Sequence, residues 1–106
     1  MAKTMYAIEM DFANASRQAD ELDQIAQSLN NLVNNQFHSC LRGVASDWKG
    51  ENAAAFCRKG NILGENIQKS VSDLKKTAAT IRTIARNTYQ AEKRNFEIAQ
   101  TRTYRG

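Results

Sequence analysis

The side chains best suited to metal or redox chemistry are His38, Cys40 and Cys57. Two thiols and an imidazole are zinc ligands in type. They lack the CxxC or HExxH spacing that presents such ligands to one ion, so no metal site is expected. The two cysteines are expected at one level of a helical pair. Packed helix axes stand about 8–10 Å apart, whereas a disulfide needs Cα atoms within about 7 Å. A reduced pair of small core residues is favoured, with a disulfide as the alternative. For catalysis the chain offers no glycine-rich phosphate loop, no nucleophile elbow and no carboxylate pair in an apolar setting. Glu51 and Glu65 read as solvated helix residues. No enzyme and no cofactor are expected. Lys75, Lys76, Arg82, Arg86, Lys93 and Arg94 raise nucleic-acid binding as a competing class, but they form no aromatic-interleaved basic face.

The elements that would position these residues are helices. A chain of 106 residues without proline is one domain by length and permits long uninterrupted helices. The N-terminal stretch is broken by Glu9, so it is not a cleaved signal peptide. No run approaches the roughly 20 apolar residues of a membrane span. The expectation is a soluble chain made in the cytoplasm, with no stable membrane insertion.

From Phe12, apolar and small residues recur at alternating spacings of three and four: Phe12, Ala15, Ala19, Leu22, Ala26, Leu29, Val33, Gln36, Cys40. This predicts a first helix over about 11–43, with Asp11 as N-cap and Gly43 as stop. A second stripe runs through Phe56, Gly60, Leu63, Ile67, Ser70, Leu74, Thr77, Ile81, Ile84, Thr88 and Ala91, flanked by Val71, Ala78 and Ala85. It predicts a second helix over about 49–97. Residues 98–106 are expected as a flexible tail, and about 44–50 as the turn.

Folding the stripes about the turn brings Val33 opposite Leu63, Ala26 opposite Val71, Ala19 opposite Ala78 and Phe12 opposite Ala85. The fold class is therefore all-α, an antiparallel two-helix hairpin. Charge follows the same plan. Residues 1–50 hold four Lys/Arg against six Asp/Glu, net −2, and residues 51–106 hold eleven against five, net +6. Asp20, Glu21 and Asp23 then face Lys75 and Lys76, while Glu9 and Asp11 lie near Arg86. One seam buries little, so dimerisation into a four-helix bundle is expected. Ile25, Leu32, Phe37, Leu41 and Phe56 are the candidate dimer or partner face.

The turn holds Trp48, the only tryptophan, followed by Lys49 and Gly50. Gly50 permits a backbone that a side chain would hinder. Trp48 offers a flat apolar surface to a partner or to the hairpin end. About one hundred residues, two long helices and a central Trp-x-Gly turn followed by Glu51-Asn52-Ala53-Ala54-Ala55-Phe56 resemble the WXG family of type VII secretion substrates, the early secreted antigenic target-like proteins of Gram-positive bacteria. The resemblance spans nearly the whole chain. It implies export without a cleaved signal peptide and recognition of Trp48 and Gly50 by the secretion ATPase. It also implies a Tyr-x-x-x-Asp/Glu export motif on the C-terminal arm. Here Tyr89 is followed by Lys93 at that spacing, and the nearest acid is Glu92. Either Tyr89 and Glu92 form a degenerate signal or a partner carries it. The implied partner is a second copy, or a WXG-like or LXG-type helical protein whose export this chain assists.

Overall fold

The computed structural model describes residues 3–48 and 50–105, with side chains through Arg102. The described residues are all helical apart from the N-terminal approach and the turn. Helix α1 spans Met5–Asn31, a π-helical segment spans Leu32–Phe37, α2 spans His38–Asp47 and α3 spans Glu51–Arg105.

The expected helix ends move outward. Thr4, not Asp11, caps α1: its hydroxyl accepts a hydrogen bond from the Ala7 amide at 3.1 Å. That satisfies one of the amide donors left over at a helix start. Gly43 does not stop the helix. The chain leaves the helix only at Trp48, which is extended at φ −101° and ψ 138°. The backbone turns at Gly50, with φ +104°, a region that L side chains rarely adopt. Glu51 then supplies an acid in the first turn of α3, where the helix dipole favours it. The stretch expected as a tail is helical through Arg105.

Two compact units make up the chain. The turn unit is Leu22–Lys76, and the terminal unit joins Met1–Glu21 to Thr77–Gly106. Each is an antiparallel pair of helical segments. In the turn unit, Leu41 meets Gly60, Phe37 meets Gly64 and the Gln68 amide donates to Asn34. In the terminal unit, Asp20 meets Arg82, Phe12 meets Tyr89 and Lys3 meets Glu92.

Apart from that of Lys3, which precedes α1, these pairings run roughly one helical turn beyond the expected register. Phe12 stacks on Tyr89, a turn past Ala85, and Asp20 pairs with Arg82 rather than Lys75 or Lys76. The cause is side-chain direction. Each Cα–Cβ bond leans toward its own helix N-terminus. Two antiparallel side chains therefore meet when both start on the C-terminal side of their contact.

The seam also differs in composition. Its buried positions in the first half of the chain, among the described residues, are Ile8, Ala19, Ala26 and Val33, then Leu41. Heptad spacing continued from Val33 would place Cys40 inside. The π-helical segment intervenes: the His38 amide donates to the Val33 carbonyl five residues back. Such a turn holds one residue more than an α-turn. The extra residue rotates Leu41 inward and leaves Cys40 exposed. On α3 the buried line is Ala53, Gly64, Val71, Ala78 and Ala85. Residues expected as flanks, Val71, Ala78 and Ala85, form the centre, while Phe56, Leu63 and Ile84 face outward. Small residues win the centre because they let two backbones approach closely and pack without voids.

Candidate functional site

The turn brings Trp48 and Gly50 together on one end of the turn unit. Trp48 is 57% exposed although it is the largest side chain in the molecule. Its indole leans on Phe56, with ring centroids 6.0 Å apart and planes tilted by 49°. This pair is possible because Trp48 is extended at the helix end while Phe56 sits in the second turn of α3. The contact fixes the indole on one side and leaves the rest of its surface open. Trp48 also lines a hollow of about 330 Å³ with Ala45, Gly50, Ala53, Ala54 and Cys57. Alanine and glycine at these positions keep the hollow shallow and apolar. Lys49, the middle residue of the motif, lies outside the described residues.

The candidate partner face divides. Ile25, Leu32 and Phe56 are about half exposed, and Ile62 and Leu63 share that exposure. Leu41 leaves the face, because the π-helical turn drives it inward until it is 7% exposed. Phe37 is half-buried, its ring set against the gap at Gly64. Ile25 and Leu32 are seven apart, as are Phe56 and Leu63, so each pair lies on one face of its helix. The turn unit thus carries outward apolar stripes on both of its segments. Sequence patterning places Ile62 at the edge of the stripe, as observed, but misses Leu63 as an outward residue because it takes Leu63 for the seam.

Tyr89 and Glu92 lie in the terminal unit and are engaged within the chain. The Tyr89 ring stacks on Phe12 at 5.0 Å, tilted by 43°. The Lys3 ammonium lies 2.9 Å from Glu92 and 2.7 Å from Asp11. Hydrogen bonds from that ammonium to Asp11 first, then Glu92, raise Lys3 above the ordinary lysine range. Asp11, expected near Arg86, is thus held by Lys3. A cleft of about 270 Å³ is lined by Ile8, Phe12, Ile81, Ile84 and Tyr89 together with Asp11 and Glu92.

The cysteines are free thiols. The half-buried Cys57 thiol donates weakly to the Leu41 carbonyl at 3.7 Å. His38 is half-buried, edge-on to Phe37 at 6.0 Å. Among the described residues, no group of three His, Cys, Asp or Glu side chains is placed to hold a metal ion. No helix among them is long and apolar enough to cross a membrane.

The chain matches no protein-family model, no curated protein and no solved structure.

Proposed function

We propose that this chain is a small non-catalytic helical protein of a type VII secretion pathway, exported or co-exported as a dimer. One observation carries the reading: the sole tryptophan stands exposed at the interhelical turn, next to a glycine whose φ of +104° makes that turn. An indole left in water where helices reverse is a surface for recognition. The outward residues Ile25, Leu32, Phe56 and Leu63 support association with a second helical pair, which would remove them from water. The secretion ATPase is the machine expected to read the turn. In cells carrying an intact secretion ATPase, the chain should appear outside, and Trp48→Ala should hold it inside without changing its helix content. Export that ignores deletion of the ATPase would refute the proposal.

A second reading is an adaptor that binds the helical N-terminal domain of an LXG-type toxin. The engagement of Tyr89 and Glu92 by the chain's own Phe12 and Lys3 favours it, because a partner would then supply the export signal. A homodimeric mass of twice 11.9 kDa, unchanged when such a toxin domain is added, would count against the adaptor.

A further inference from the structure

Between Asp23 and Arg42 the chain holds eighteen residues without a single Asp, Glu, Lys or Arg. The chain as a whole is 25% charged, and the outward face of a helix is where such charges normally gather. Seven of the eighteen are Asn or Gln. The run takes in the end of α1, the π-helical segment and the start of α2, all within the turn unit. The α3 segment of that unit is charged along its length, with Arg58, Lys59, Glu65, Lys69 and Asp73.

One face of the uncharged run lies outside the seam. Ile25, Leu32 and Cys40 each stand one residue before the buried Ala26, Val33 and Leu41, so the π-helical turn rephases both lines together. Ile25 is 51% exposed and Leu32 46%. Ser28, Asn35 and Ser39 are exposed beside them. Apolar residues among uncharged polar ones, with charge excluded, match the centre of a protein interface better than a solvated face.

The lack of charge also selects the partner. A partner attracted by charge needs charges on the patch it meets. In a contact between two copies the same patch lies on both sides, so it must complement itself. A face charged with one sign would repel its own copy. An amide side chain both donates and accepts, so a face of Asn and Gln matches itself. The chain makes this kind of bond between its own helices, where the Gln68 amide donates to Asn34 at 3.1 Å. We infer that the partner is a second copy of this chain, and that the two copies meet through the uncharged face of residues 24–41, with Ile25, Leu32 and Cys40 inside the contact. The inference rests on the dimer of the proposed function and not on export.

Two measurements on the full chain test it. Light scattering behind a sizing column should give the wild type a mass near twice 11.9 kDa. Leu32→Lys sets like charges into the contact and should give a monomer of unchanged helix content. Ile62→Lys, on exposed α3 surface, should leave the dimer intact. A monomeric wild type overturns the inference, and so does a dimer that survives Leu32→Lys or is broken by Ile62→Lys. Ile25→Lys repeats the test if Leu32→Lys loses helix. The second measurement uses Cys57→Ser, in which Cys40 is the sole thiol. N-ethylmaleimide should label Cys40 severalfold more slowly there than in the same protein carrying Leu32→Lys or Ile25→Lys. Equal rates would put Cys40 outside the contact and overturn the inference. Export of the wild type, with and without the secretion ATPase, separates the two claims. A dimer through this face that is not exported leaves the contact standing and removes the export reading. A monomer whose export depends on the ATPase does the reverse.

Discussion

In the turn unit, side chains of one segment fill gaps left by glycines on the other, while in the terminal unit ion pairs and one aromatic pair accompany a buried seam of Ile8, Ala19, Ala78 and Ala85. At the turn end, Leu41 and Phe37 project into gaps left by Gly60 and Gly64. At the terminal end, Lys3 with Asp11 and Glu92, Arg82 with Asp20, and Phe12 with Tyr89 make the connections. Knobs in glycine gaps are specific and insensitive to salt. Exposed ion pairs are weak and reversible.

The sharpest way to break this contrast is to spoil the seam of the turn unit. Val33 is fully buried, so Val33→Asp places an unpaired carboxylate in the interior. The expected loss is about 3 kcal/mol or more, read as a lowered denaturant midpoint. A wild-type midpoint would mean that Val33 is not in the seam.

Glycine substitutions sharpen the comparison, because three sites have different surroundings. A Cβ at Gly60 would stand 2.5 Å from a Leu41 methyl, so Gly60→Ala forces that side chain to move. Overpacking costs of about 1–3 kcal/mol exceed the helix gain of about 1 kcal/mol, and a net loss is expected. Gly50→Ala meets no atom within 4 Å but keeps a positive φ, which costs roughly 1–2 kcal/mol. Gly43 lies inside α2 with nothing within 4 Å, so Gly43→Ala should stabilise by about 1 kcal/mol. Thermal unfolding of these variants side by side gives the signs, and a destabilised Gly43→Ala would contradict the helix through residue 43.

The smallest effects belong to the terminal unit. Asp20→Asn removes a surface ion pair and should cost about 0.2–1 kcal/mol at low salt, shrinking as ionic strength rises. A cost that persists in concentrated salt would mean that Asp20 does more than pair with Arg82. For Lys3 the sign of the pH dependence follows from its raised pKa. Its stabilising contribution is fully present below the ordinary lysine value and is lost only in strong alkali. Changing pH around neutrality should therefore leave the Lys3 ammonium in place, and amide exchange over residues 4–10 at two neutral pH values, corrected for intrinsic rates, checks this.

Much of the fold follows from the chain's own pattern. The absence of proline and the repeated spacing of three and four require long helices, and the central tryptophan and glycine mark where they reverse. Local sequence acts over a few residues, which is enough to place helices and a turn. It does not choose between two stripes lying one residue apart on α3. The stripe through Phe56, Leu63 and Ile84 carries more hydrophobic area, so periodicity alone turns it inward. The stripe through Val71, Ala78 and Ala85 carries less, yet it takes the seam, because only small side chains allow the backbones to close up. That decision is made between two helices and is invisible in either one. The π-helical turn is of the same kind. Nothing in Leu32–Phe37 announces it, but it rephases the chain so that Leu41, not Cys40, fills the gap at Gly60. The sequence by itself determined the helices, their reversal at Trp48 and Gly50, and their charge asymmetry. Tertiary packing alone decided which faces meet, and so which apolar residues remain outside, because that choice is made by contact between two helices.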